Sequence, residues 1–249
     1  MLATASVLCR SSPRALIFLL LIIIHRFVAH PSDIFSLAAT PVSVLSASGS
    51  STLRVHSTTE PTFPEIQAIE GAHKLGIHHV CTSRGGAGKV AASVGFGGDV
   101  KVWTCEESGW KLSWEIPLEL ANNGDVWALA LSVDERYLAC TTHDGQIWVW
   151  DLEARKKIQT YETGSSSVAG SFGMTVDLSR DGKLTASGHQ SGTMYIFNND
   201  AGRLVHSLPG RYPKQTKPST QLTFSLSRSR KASSYGGFFA RLQIPGCGW

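Results

Sequence analysis

A few short stretches of this chain hold residue types that could do chemistry. His78 and His79 form the most metal-like pair, residues 83–89 (SRGGAGK) have the composition of a phosphate-binding loop, and Glu106-Glu107 and Asp134-Glu135 are paired carboxylates. Catalysis needs such groups to converge, as a nucleophile beside a base, two carboxylates across a cleft, or a metal cage. The spacings do not provide this. Neighbouring residues of a strand face opposite sides, so His78 and His79 are not expected to share a metal. SRGGAGK lacks the four-residue gap of G-x-x-x-x-G-K-[ST], and the residues after it read as a strand, with no helix N-terminus to hold an anion. The carboxylate pairs fall in expected turns, where solvated acids are ordinary. The cysteines, Cys9, Cys81, Cys105, Cys140 and Cys247, are odd in number and scattered, without C-x-x-C or metal-ligand spacing. Three of them sit in apolar, strand-like surroundings and read as free buried thiols, which favours a reducing compartment. The expectation is a chain with no catalytic residue, no cofactor and no metal.

The elements that would position these residues are set by a repeat. SGSSTLRVHS, GFGGDVKVWT, HDGQIWVWD and HQSGTMYIFN share one pattern, and their aromatic positions, His56, Trp103, Trp150 and Phe197, fall at a constant interval of 47 residues. Within each period an alternating apolar run (DIFSLAAT, GIHHVCTS, DVWALALS, FGMTVDLS) precedes a turn and a small-residue strand (VLSASGS, VAASVGF, YLACTTH, LTASGHQ). The tryptophan strand follows, and stretches such as KLSWEIPL and KKIQTYET supply a fourth. Period-two alternation in short runs bounded by Gly, Asp and Asn is the signature of strands, and no sustained helical period interrupts it. Four short antiparallel strands per period describe a propeller blade, so an all-β fold is expected over residues 30–210.

The flanks differ in composition. Residues 1–29 and 211–249 contain no acidic residue, whereas residues 30–210 hold all 19 acidic residues against 13 basic ones, a net charge of −6. The overall charge of +4 is therefore no argument for nucleic-acid binding by the folded part. Residues 15–24 are uninterruptedly apolar behind Arg10 and Arg14, too short to span a bilayer but of the length of a signal-peptide core, with Val28 and Ala29 as a weak cleavage site. The expectation is a signal-like segment, which would direct the chain to the secretory pathway, or a non-native extension. The tail over 211–249 is basic, Ser-rich and without a repeat.

With its Trp150-Asp151 pair and early Ala-His dipeptides at His30 and His73, the repeat resembles the WD-repeat family. Narrower strings, among them AHKLGIHHVCTS and GSFGMTVDLSRDGKLTASGHQSGTMYIFNNDAGRLVHSLPG, resemble the WD-repeat subunits of the superkiller (Ski) complex, also known in meiotic recombination. The resemblance implies a buried set of His, turn Asp, Ser or Thr and Trp that locks each blade. On this reading Asp144 is the turn Asp, Gly97, Ser50 and Ser191 replace it elsewhere, and no blade has the full set. It also implies a seven-bladed ring, of which four blades are recognisable here. An open or incomplete ring with an exposed apolar edge near blade four is expected.

The expected function is a non-enzymatic scaffold that binds partner proteins. Phe35, His78, Trp127 and Met174, just after the start of each opening strand, are expected near the upper rim, an apolar set suited to anchoring a partner. The resemblance implies helicase and tetratricopeptide-repeat partners in the Ski complex, support of exosome-mediated 3′-to-5′ mRNA decay, contact with the meiotic double-strand-break machinery, and cytoplasmic and nuclear residence. No direct nucleic-acid contact is expected of the propeller, and no membrane contact unless residues 15–24 are an anchor. Rival readings are a WD-repeat adaptor for ubiquitin ligation or chromatin, and a propeller hydrolase, which would need acidic or His residues lining the channel.

Overall fold

The computed structural model describes residues 29–83, 87–117, 126–164 and 170–210, and among these it contains sixteen strands and no helix. Alternation in short runs is what antiparallel sheets require, and the chain forms four sheets of four strands, each from consecutive segments. Blade one comprises β1 (Ile34–Ala39), β2 (Ser43–Ser48), β3 (Leu53–Ser57) and β4 (Glu65–Ile69). Blade two comprises β5 (Ile77–Thr82), β6 (Val90–Gly95), β7 (Val100–Glu106) and β8 (Gly109–Ile116). Blade three comprises β9 (Val126–Leu131), β10 (Tyr137–Thr142), β11 (Gln146–Asp151) and β12 (Lys156–Glu162). Blade four comprises β13 (Gly173–Leu178), β14 (Leu184–His189), β15 (Met194–Asn198) and β16 (Arg203–Leu208).

Each blade is an up-and-down meander, and the first strands β1, β5, β9 and β13 lie side by side as the innermost layer. The core is divided among the blade interfaces. Leu45 and Val55 of blade one meet Val80, Trp103 and Trp110 of blade two. Val102 and Ile116 meet Leu129, Leu138, Trp148 and Trp150 across the next interface. Ile147, Val149 and Tyr161 meet Val176, Leu178 and Phe197 across the last. A blade therefore has no core of its own; its apolar faces are buried only by its neighbours.

The tight β10–β11 turn of blade three shows why HDGQIWVWD needs its glycine. Gly145 has φ +84°, and a Cβ there would lie 2.6 Å from the Ser171 carbonyl oxygen of the next blade's leading loop.

The terminal blades each turn one sheet face outward. Ile147 and Val149 are fully buried, whereas Met194 and Ile196, one repeat later, are only half-buried, and β16 is exposed along its length. Leu37 of β1 is 64% exposed where Val80, at the same point of β5, is buried. Among the described residues the blades form an arc, and its open ends carry apolar surface as the sequence suggests. The apolar segment 15–24 and the basic tail 211–249 lie outside the described residues. No helix among the described residues is long and apolar enough to cross a membrane.

Candidate docking surface

The buried polar set that locks a blade is complete in blade two, contrary to the expectation from sequence. His73, delivered by the loop before β5, donates from Nδ1 to Asp99 Oδ2 (2.6 Å). Its Nε2 accepts from Ser93 Oγ (2.7 Å), and that hydroxyl accepts from Trp103 Nε1 (2.8 Å). Four residues from two strands and two loops are joined in one chain of bonds. The turn acid is Asp99, four residues before Trp103, and Gly97 is an exposed turn residue beside it. Burial would raise the Asp99 carboxyl, but the bond and charge of His73 outweigh it and hold the acid below its ordinary range.

Asp144 does not play this part. It is exposed, and it bonds within its own turn to the Thr142 hydroxyl and the Gln146 backbone. Counting four residues back from each aromatic gives Thr52, Asp99, Gln146 and Thr193, so only blade two has an acid at the locking position. The other locks are partial. His30 bonds Ser46 Oγ through Nε2 (2.8 Å), while its buried Nδ1 has no partner where an acid would stand. In blade four the histidine comes from the sheet itself: His189 accepts from Ser187 Oγ (2.9 Å) and donates to the Ser171 carbonyl (2.7 Å). In blade three Cys140 replaces the serine, and the buried Trp150 Nε1 finds no acceptor at bonding distance. Burial pushes the Cys140 thiol up to about 12, so it is held neutral. Phe197 stacks on Tyr161 with centroids 4.2 Å apart. Asp151 is buried and accepts Arg136 Nε and Nη2 at 3.1 and 2.9 Å.

The four rim positions share a backbone feature that the sequence does not mark. In every blade the first strand slips register by one residue near its start, and the unpaired residues are Phe35, His78, Trp127 and Met174. A β-bulge leaves two residues facing one and re-aims the extra side chain. Three of these side chains are joined by rings that sequence reasoning missed. Phe35 meets Phe96 edge-on at 5.0 Å, Phe96 meets His78 at 5.2 Å, and His78 stacks on Trp127 at 4.7 Å. Trp127 continues to Phe172 at 5.1 Å and to His143 at 5.4 Å, and those two stack on each other at 4.3 Å. Phe96 and His143 lie one repeat apart, so the same 47-residue interval could have found them.

This aromatic ribbon runs across all four blades, ending at Phe172, which precedes β13. Phe35 is 43% exposed, Phe96 45% and Met174 39%, whereas His78 is buried between its neighbours and donates from Nε2 to the Trp127 carbonyl (2.9 Å). Met174 stands at the blade-four end. His78 is thus a spacer within the ribbon, and the accessible anchors are Phe35, Phe96, Trp127 and Met174.

The other chemical candidates find structural roles. The bulge breaks strict alternation at His78, so both histidines reach β9: His79 Nδ1 accepts from the Leu129 backbone N–H (3.1 Å). That corrects the expectation that they face opposite ways, and it engages each in a different bond. Glu135 Oε1 accepts from Ser83 Oγ and Lys89 N, pinning the ends of the SRGGAGK loop, whose residues 84–86 are outside the described set. Among the described residues no group of three His, Cys, Asp or Glu is placed to hold a metal.

Comparison with known proteins adds a family. Residues 116–151 match the WD domain, G-beta repeat. The chain belongs to the WD-repeat family. It is 34% identical over 201 residues to the meiotic recombination protein rec14 of Schizosaccharomyces pombe, covering 79% of this chain and 61% of that protein's length. It is 30% identical over 79 residues to the human U3 small nucleolar RNA-associated protein 18 homolog, 32% of this chain and 14% of the relative. Striatin-4 of Mus musculus is 23% identical over 194 residues, 74% of this chain and 25% of its own length. The chain thus spans less than two thirds of each of these relatives. WD-repeat domains generally mediate protein–protein contacts and are generally not catalytic.

Proposed function

We propose that this WD-repeat chain is a non-catalytic scaffold that captures partner segments on its aromatic ribbon, and that it serves as the WD-repeat subunit of a Ski complex. In that setting it would bridge helicase and tetratricopeptide-repeat subunits in support of exosome-mediated mRNA decay in the cytoplasm, with a second role in meiotic recombination in the nucleus. The observation that supports the docking reading is the repeated bulge at Phe35, His78, Trp127 and Met174, with partly exposed rings beside it. Aromatic side chains that are half-exposed on a rigid frame bring large contact area at little entropic cost, the usual make-up of an interface anchor. The likeness to a meiotic recombination protein supports the second role, and the first rests on the sequence resemblance to Ski-complex subunits.

The test is co-purification of the full chain and its rim variants with helicase and tetratricopeptide-repeat partners. Phe96→Glu and Met174→Glu change exposed side chains and should leave the melting temperature nearly unchanged, and both they and Trp127→Glu should reduce recovery by roughly tenfold or more, as loss of an anchor worth at least about 1.4 kcal/mol requires. Unchanged recovery in all three variants would remove the rim assignment.

A further inference from the structure

The outer edges of the three blade interfaces are not built alike. Between blades one and two, the Gln67 amide donates to the Trp110 carbonyl (2.8 Å) and accepts from its N–H (2.7 Å). Between blades three and four, Gln159 Nε2 donates to the Asn199 carbonyl (2.8 Å) and the Tyr161 hydroxyl reaches Asn199 Oδ1 (3.0 Å). Between blades two and three the outer span shows, among the described residues, the exposed bond from Arg155 Nη2 to the Ser113 carbonyl (3.2 Å). There a groove of about 410 Å³ opens, within the size of sites that take a side chain and its flanking backbone.

Val90, Val102, Leu152 and the partly buried Trp114 form the apolar half of its wall, Thr104 and Ser113 add polar groups, and Asp134, Glu135 and Glu153 border it. Arg136 and Arg155 also border it, but both are engaged, Arg136 with the Asp151 carboxylate and Arg155 with the Ser113 carbonyl. The carboxylates are less committed. Asp134 and Glu135 make their bonds through one oxygen each, Oδ1 and Oε1. Glu153 is 77% exposed and approaches Arg136 only at 3.7 Å. Three carboxylates, Asp134, Glu135 and Glu153, line the groove beside two guanidinium groups, one of which, Arg136, is already neutralised by the buried Asp151.

We infer that this groove binds an arginine side chain presented by an extended partner peptide. An aliphatic stem matches the Val and Leu wall, and a planar cation can stack on Trp114 while donating to carboxylates at the rim. The site is separate from the aromatic ribbon and does not depend on it.

Two fluorescein-labelled peptides test the inference by anisotropy with the full chain: Gly-Ser-Leu-Arg-Leu-Ser-Gly and the same peptide with citrulline, a neutral isostere, for arginine. The arginine peptide should saturate the chain and the citrulline peptide should bind at least about tenfold more weakly, the loss expected of a desolvated charge-assisted contact. Glu153→Gln, an exposed change that does not touch the core, should weaken the arginine peptide by roughly fivefold, in line with loss of a partly exposed ion pair. Phe96→Glu should leave its affinity unchanged. Equal binding of the citrulline peptide, insensitivity to Glu153→Gln, loss on Phe96→Glu, or no saturation at millimolar peptide would each overturn the assignment.

Discussion

At the scale of single residues, the difference between Asp99 and Asp144 shows what a repeat alignment can and cannot reveal. Both are turn acids before a tryptophan, but only Asp99 stands four residues ahead of it, at the depth where His73 ends. The sequence shows both aspartates; it does not show which faces the histidine, because that is decided by how tightly each turn closes. Asp99→Ala should cost about 1–3 kcal/mol, since it strands a buried His73 N–H. Asp144→Ala should cost about 0.5 kcal/mol or less, as surface substitutions usually do. Denaturant midpoints of the two variants measure this, and equal losses would mean that the blade-two chain of bonds is not the lock it resembles. His73, Trp103 and Trp150 were legible because residue type and interval both pointed to them. Phe96, His143 and Phe172 were not, because they sit in turns and a leading loop, outside the alternating strands that carry the repeat.

At the scale of elements, order and register were largely legible and the irregularities were not. Alternation marks the first three strands of every blade and the fourth of blades two and three in their observed order, because a half-buried pleated surface demands it, whereas β4 and β16 carry little of that pattern. The register slip at Phe35, His78, Trp127 and Met174 leaves no mark in the alternation, since one extra residue in six is within its noise. The blade interfaces, by contrast, follow from the residue types. Trp150 is 1% exposed and packs between blades two and three with Trp148 and Leu138, and Trp114 meets it edge-on at 5.8 Å. Trp150→Ala should therefore cost about 3–5 kcal/mol. Because its indole N–H already lacks an acceptor, Trp150→Phe should cost far less, about 1 kcal/mol, in the manner of a core swap that keeps most of the volume. Thermal unfolding of both variants checks the pair; a Phe variant as unstable as the Ala one would show that the indole nitrogen matters after all.

At the scale of the whole molecule, stability is spread over interfaces and so is its dependence on pH. Burial lowers the affinity of His30, His78 and His189 for a proton, in blades one, two and four respectively. The unfolded chain then binds more protons than the folded one, so stability is present above the ordinary histidine range, near 6.5, and is lost as pH falls through the lower folded values. The melting temperature should drop by roughly several degrees between pH 7.5 and pH 5, and the drop should shrink in His189→Gln. A flat profile over that window would rule out these histidines as buried neutral groups. The exposed apolar surface at Met194, Ile196 and Leu37 belongs to this scale too, because among the described residues no blade packs against it.

The recurring bulge has a consequence for how such a chain could change its partners. Since the backbone slip, not the identity of the side chain, turns positions 35, 78, 127 and 174 toward the rim, each behaves as a socket whose occupant can be exchanged. A phenylalanine, a histidine, a tryptophan and a methionine already occupy equivalent sockets on one frame. Recognition could therefore diversify by altering the contents of a few sockets while the scaffold that holds them stays as it is.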